Sequence, residues 1–460
     1  MSRTSSDGGA FTRAFWWTTA VTAGVAAVFL LLGAMQGPKL STAQVDSVRV
    51  TEQAGQQLRL FANQPLSEIA ADQVSVEPAV PVQVTVQGEL IALQFERALD
   101  YDTEYTVTVS DVASPSRSAT SDFVHTFRTA PGSFVYIDRG ESVDEVLIAD
   151  VAGTGRGEVL HSAPGIQFAA PLENALILAR DDGNGGSVLE VVDRASDAVE
   201  QVRLPADGLR VDDLRVPRVG TTVALILSAT DGAEGDADRW LALVDLAGAG
   251  VAEWVTGLDG EPITTQDALF TQAGDALLVH DIDQNLSRLP LADPTRILPV
   301  GQFTDVHSVS SDGQRLSATD PFGGVALDLE TSDEERINPS LFADELVFGA
   351  DFHLLASGEW VQRVAVADAS GLALGNLIVV DDGAGESRLL ARTVSDAGSF
   401  VDFRVSPNDQ FVAIEVVPVV AEAQPDGRAV NGRATSITVV IVNIATGDLV
   451  RSVAGFGPSW

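Results

Sequence analysis

Seven times between residues 132 and 460, an apolar run of the form apolar-apolar-x-apolar ends on Asp or Asn and then turns. The runs are FVYID to Asp138, LEVVD to Asp193, LALVD to Asp245, RLPLAD to Asp293, VALD to Asp328, LIVVD to Asp381 and VVIVN to Asn443. Their spacings are 55, 52, 48, 35, 53 and 62 residues, a mean of about 51. A period of that size marks a supersecondary unit that cannot bury its apolar face alone and must stack on copies of itself. Each closing acid is first a turn former, because its carboxylate accepts backbone N–H groups one to three residues on.

Before most of these runs comes another strand introduced by a polar or glycine turn: GTTVALIL, AGDALLV, SDGQRLSA, GEWVQRVAV and SPNDQFVAI. After them comes a third, such as AVEQVRL, VAEWV, TRILPV, EERI, SRLLAR and LVRSV. Strand, turn, strand ending in Asp, turn, strand is the order of a four-stranded propeller blade. The region resembles the Tol-type and WD-repeat β-propellers, most clearly in VSPNDQFVAIEVV followed by TVVIVNIATGDLVRSVAG. The resemblance implies a propeller over 132–460, with seven blades favoured and six as the alternative. The closing GFGPSW reads as an inner strand with no blade after it, so it is expected to complete the blade begun at Phe134.

Towards the other end, no charged residue lies between Arg13 and Lys39, and Ala14 to Met35 reads AFWWTTAVTAGVAAVFLLLGAM. At about 1.5 Å per residue this run is long enough to cross a hydrocarbon core. Trp16 and Trp17 stand where amphipathic rings prefer the headgroup level. A secretory signal peptide is the competing reading, given Arg3, Arg13 and Ser41-Thr42-Ala43, but the apolar run exceeds the usual length of its core. The expectation is a cytoplasmic tail at 1–13, a transmembrane signal-anchor helix at 14–36, a linker at 37–45 and the bulk of the chain outside the cell membrane.

From Asp46 to Thr129 the chain alternates apolar and polar residues in short runs, among them Ser47 to Val50, Gln57 to Phe61, Val82 to Val86, Leu90 to Phe95, Tyr105 to Val109 and Phe123 to Phe127. Gln87-Gly88-Glu89 reads as a hairpin turn between two of them. RLFANQPLSE, the VSVEPAVPVQVTVQGELIALQFERALDYDTEYTVTVSDV stretch and DFVHTFRTAP resemble the bacterial Ig-like domains of S-layer and other surface proteins. That resemblance implies a β-sandwich over 46–131, used as a spacer or adhesive module, with His125 an ordinary strand residue. The fold class expected overall is all-β.

Sixty-five acidic residues against 28 basic give a formal charge of −37, which repels phosphate backbones and excludes nucleic acid as a partner. Zero cysteines remove disulfides, thiolate metal sites and cysteine nucleophiles. Lys39 is the sole lysine, so no Walker loop exists, and neither Gly-x-Ser-x-Gly nor His-Glu-x-x-His occurs. His161, His280, His307 and His353 are scattered. No catalytic, cofactor-binding or metal residue is therefore assigned, with calcium as a weak possibility. Asp150 to Glu158, DVAGTGRGE, looks like the calcium loop of integrin-type repeats, yet Ala152 and Thr154 replace two of its ligands. Asp281, Asp283 and Asn285 form a D-x-D-x-N run better read as a hairpin turn, since Leu286 and Ala292 break the EF-hand pattern.

If the repeat is a propeller, the turns from Asp181, Thr230, Asp320 and Ala421 emerge on one face. There Asp181, Asp182, Asp231, Glu234, Asp236 and Asp238 offer negative charge, with Arg428 and Arg433 on a long loop above them. The null alternative is that these residues only supply turn geometry. The function expected is a membrane-anchored binding or scaffold protein of the cell envelope, without catalysis, meeting an envelope protein or a cell-wall polymer. A propeller hydrolase acting on wall polysaccharide or peptide, and a surface-layer component, are the alternatives.

Overall fold

In the computed structural model of the protein, residues 8–460 are described except 35, 116, 232–235, 249, 343–345, 368–372 and 385–386. The fold is all-β apart from one long helix and a few single turns. Two compact units emerge: a smaller one within residues 1–129, and a larger one of residues 51–54, 100–102 and 130–460.

The smaller unit contains the helix Gly8–Ala34. Thr19 and Thr22 return their hydroxyls to the carbonyls of Phe15 and Thr18, so the helix needs no outside partner for them. Phe15, Trp16, Trp17, Val21, Val25 and Val28 are all exposed. Among the described residues no helix is long and apolar enough to cross a membrane. The side chains at 29–34, the most apolar part of the run, lie outside that description.

Two antiparallel sheets follow in the same unit, one of Leu40–Gln44, Gln57–Ala62, Leu90–Phe95 and Val82–Gln87, the other of Val74–Glu77, Glu104–Ser114 and Arg117–Arg128. Leu58, Leu60, Ile91, Leu93 and Phe95 of the first sheet share one core with Tyr105, Val107, Val109 and Phe123 of the second. Alternation puts these residues inward and their polar neighbours outward. Two local readings change. The segment read as a linker, 37–45, supplies the edge strand Leu40–Gln44, too short and polar to show a period. Ser47 to Val50, read as strand, gives way to a helical turn Arg49–Glu52, because the Asp46 carboxylate accepts the N–H groups of Val48 and Arg49.

Seven four-stranded antiparallel sheets make up the larger unit among the described residues. In chain order their leading strands are Ile166–Pro171, Leu209–Arg215, Thr265–Phe270, Asp305–Val309, Leu346–Leu354 and Ser399–Val405 for the second to seventh sheets. The first sheet begins instead with Phe456–Ser459, which pairs antiparallel with Ser133–Asp138, followed by Asp144–Asp150 and Glu158–Ala163. The first sheet therefore draws its leading strand from the far end of the sequence, as GFGPSW suggested. For the same reason Asp138 ends a second strand, whereas Asp193, Asp245, Asp328, Asp381 and Asn443 end third strands.

Second strands are the most apolar, and Phe411–Val417 is buried at every position, as a strand covered on both faces must be. Apolar clusters join each sheet to the next. Val135 and Ile137 meet Ile166 and Leu178; Ile177 and Leu189 meet Val223 and Leu225; Ala224 and Leu241 meet Leu277 and Val279. Leu278 meets Leu316, Ala326 meets Phe352, and Val361 meets Ile414. Phe411 and Ile441 then return to Phe134 and Leu147 of the first sheet. The order of contacts is cyclic, so every sheet has both faces covered.

Candidate functional site

From Phe456–Ser459 through Ile166–Pro171, Leu209–Arg215, Thr265–Phe270 and Asp305–Val309 to Leu346–Leu354, each leading strand lies against the next. On five of them the same short pattern recurs: Asp213-Leu-Arg215, Asp267-Ala-Leu269, Asp305-Val-His307, Asp351-Phe-His353 and Asp402-Phe-Arg404. The ladder slips by a residue beside four of these aspartates, between Val211 and Asp213, Thr265 and Asp267, Gly349 and Phe352, and Phe400 and Asp402, and at His307 in the remaining strand, between Val306 and Ser308. A β-bulge of this kind re-aims side chains and ends regular pairing. Asp213, Asp267, Asp305 and Asp402 each fix one carboxylate oxygen on the N–H of the following residue.

These side chains form one mixed cluster. Arg215 bridges two strands, its Nη2 2.8 Å from Asp213 and 3.0 Å from Asp267. Burial works against its charge, but Asp213 and Asp267 more than offset that and hold its pKa above the usual arginine value. Burial pushes the Asp213 carboxyl up, with Arg215 pulling the other way. Arg363 Nη2 lies 2.5 Å from Asp351, and Arg404 Nε 3.7 Å from Asp402. Water reaches the cluster, since Asp305 is exposed and the Asp402 and Arg404 side chains are 45% and 44% exposed.

At one edge Asp305, His307 and Asp351 bring a ligand atom each within 4.8 Å of one another, a grouping able to hold a metal ion. His307 Nε2 is 2.8 Å from the Thr319 hydroxyl. Burial lowers the His307 pKa against the pull of Asp305 and Asp351, which favours the neutral imidazole. His353 sits alongside, Nδ1 2.7 Å from Ser308 Oγ, and burial with the nearby Arg218 charge drives its pKa down to about 3.

The residues singled out from the sequence go elsewhere. Asp181 and Asp182 cap their own turn by accepting N–H groups of Gly183, Asn184 and Gly186. Glu234 lies outside the described residues, and among those described no metal-holding group includes Asp231, Asp236 or Asp238. The long loop does not overhang that acidic turn region as a free basic arm: Arg428 pairs with buried Asp144 at 3.3 Å, and Arg433 with buried Glu415 at 3.4 Å. Asp281 accepts the N–H groups of Asp283 and Asn285, the hairpin geometry expected of it. In the Asp150 loop, the Arg451 guanidinium donates to the carbonyls of Asp150 and Gly155, the latter at 2.6 Å. A Cβ on Gly153 would stand 2.8 Å from that guanidinium, so a side chain there would displace the Arg451 head. His125 stacks on Phe127, and buried His280 sets Nε2 2.8 Å from the Phe303 carbonyl.

Asp409 carries a pH dependence. Its Oδ2 accepts from Ser311 Oγ at 2.7 Å and Ala356 N–H at 2.8 Å, while Oδ1 is buried without a partner. Burial pushes its pKa up to about 6. The native state then binds the proton more tightly than the unfolded chain, so stability from this group falls as pH rises from about 4 to about 6. Asp409→Asn is expected to raise Tm at pH 7.5 relative to the unsubstituted chain, and the difference should vanish near pH 4. Calorimetric scans across that range check it, and a pH-independent difference would remove the assignment.

No family model and no curated protein matches the chain. Among solved structures it is similar to the dihydro-heme d1 dehydrogenase NirN in complex with DHE, with a TM-score of 0.41 and 15% identity over 71% of this chain and 74% of that one. It is similar to a puromycin-hydrolyzing peptidase of Mycobacterium tuberculosis, with a TM-score of 0.43 and 12% identity over 70% of this chain and 53% of that one. TolB from Acinetobacter baumannii gives a TM-score of 0.36 and 16% identity, over 71% and 82%. These neighbours differ in what their names describe, so the reading of the larger unit rests on its own strand pairing.

Proposed function

We propose that the chain is an anchored extracytoplasmic binding protein of the cell envelope. In this reading the apolar helix holds it in the cell membrane with the N-terminus inside. An Ig-like sandwich acts as spacer, and a closed seven-bladed propeller presents the ligand-binding surface. The carrying observation is the convergence of five aspartates, Arg215, Arg404 and His307 on the leading strands of successive sheets, joined by Arg363 from the second strand Trp360–Ala367. Five carboxylates against three guanidiniums leave the cluster negative, which selects a cationic group on an envelope protein or wall polymer. The exposed apolar side chains Phe15, Trp16, Trp17, Val21, Val25 and Val28 of that helix support the anchor.

Two measurements test this. Protease added to intact spheroplasts should degrade everything beyond about residue 45; full protection would overturn the placement. Purified wall polymer should bind the full chain, and Asp267→Asn with Asp402→Asn should weaken binding at least tenfold; unchanged binding would overturn the site. A second reading, the hydrolase, is favoured by one observation, the imidazole beside two carboxylates at Asp305, His307 and Asp351. Release of glycan or peptide fragments from the wall, lost in Asp305→Asn, would put it first.

A further inference from the structure

We propose that Asp305, His307 and Asp351 bind one divalent transition cation, zinc or manganese, with a coordination position left open. The inference deepens the reading of the leading-strand cluster as the ligand site and rests on it. Three observations carry it. The first is proximity, one donor atom from each residue within 4.8 Å of the others, drawn from adjacent leading strands.

The second is how each donor is held. Asp305 has one oxygen, Oδ1, fixed by the Val306 N–H at 2.9 Å, and its second oxygen remains for a ligand. Asp351 has Oδ2 held by Arg363 Nη2 at 2.5 Å, leaving Oδ1. His307 has Nε2 at 2.8 Å from Thr319 Oγ1, leaving Nδ1. Outer contacts that fix one atom and orient the other are what metal ligands require, and they set tautomer and ring angle at the histidine.

Charge is the third. The five aspartates outnumber Arg215, Arg363 and Arg404 by two. A divalent ion supplies two positive charges at the edge where, among the described residues, no arginine forms an ion pair with Asp305. An imidazole with two carboxylates suits zinc or manganese, whereas calcium needs 6 to 8 oxygens and finds fewer here.

The test uses the full chain without a histidine tag, stripped with EDTA, dialysed and titrated with ZnCl2, MnCl2 and CaCl2 by calorimetry, with bound metal counted by mass spectrometry. One equivalent of zinc or manganese per chain is expected, with calcium at least tenfold weaker. Asp305→Asn and His307→Gln should each weaken binding at least tenfold with Tm of the metal-free protein unchanged. Thr319→Val, which removes only the outer contact to the ring, should weaken it roughly 10- to 100-fold. Asp281→Asn, in the hairpin, should leave binding intact. No saturable binding, or binding indifferent to Asp305→Asn and His307→Gln, overturns the metal site. If polymer binding still depends on Asp267 and Asp402 in that case, the metal inference alone has failed; if that dependence is lost as well, the reading of the cluster as the ligand site fails with it.

Discussion

Phe456→Ala is expected to lower the unfolding free energy of the larger unit by about 3–5 kcal/mol, the range for emptying a buried phenylalanine site. Phe456 is 1% exposed and packs with Val135, Ile137, Ile166 and Leu178 between the first two sheets. The Arg139 and Arg433 guanidiniums lie 4.5 and 5.3 Å from its ring centroid, so truncation also removes two cation–π contacts. Its strand carries the Gly457 N–H that Glu415 accepts at 2.8 Å. Urea unfolding followed by the fluorescence of Trp240, Trp254, Trp360 and Trp460 reads this unit, and a loss below about 1 kcal/mol would mean the first and second sheets hold together without that side chain.

Asp144→Ala should be the other large loss, about 3 kcal/mol, because it strands two partners at once. The Asp144 carboxylate is wholly buried, accepts the Ile166 N–H at 2.9 Å and meets Arg428 at 3.3 Å. Removing it leaves an amide unpaired and a guanidinium without its carboxylate. The Arg428 side chain is 30% exposed and can hydrate partly, which keeps the figure at the low end of the range for broken buried pairs. In a double-mutant cycle, Asp144→Ala with Arg428→Met should cost less than the sum of the single changes; strict additivity would mean the pair is not coupled.

Sequence reasoning reached the repeat because third strands end in acids that make their own turns, a signal at fixed offset from the strand: Asp193 takes the N–H groups of Ala195 and Ser196, Asp328 those of Glu330 and Thr331. It misplaced Asp138 by one strand because pairing across more than 300 residues shifts the phase of the first sheet alone. The acidic cluster was written in the chain as Asp-apolar-Arg or Asp-apolar-His on four of the leading strands and Asp-Ala-Leu on the fifth, but among 65 acids a three-residue pattern is hard to see. Asp181 and Asp182 drew notice for local acidic density, which reports turn geometry, and Asp150 for the likeness of its loop to a calcium loop, whose carbonyls go to Arg451 instead. The loop at Arg428 and Arg433 looked free because its partners, Asp144 and Glu415, are remote in sequence.

The pairing of Phe456–Ser459 with Ser133–Asp138 also sets a clock on biogenesis. A nascent chain emerging from the ribosome can form six of the seven sheets of the larger unit while the seventh interface still gapes. The apolar flank of Phe134, Tyr136 and Leu147 waits for partners, Phe411 to Val453, synthesised roughly 260 to 320 residues later. Contacts of that separation are slow to form and leave adhesive surface open meanwhile. Premature termination anywhere before Phe456 therefore leaves the first sheet without its leading strand and that apolar flank short of partners, a species for proteases rather than a shorter working protein.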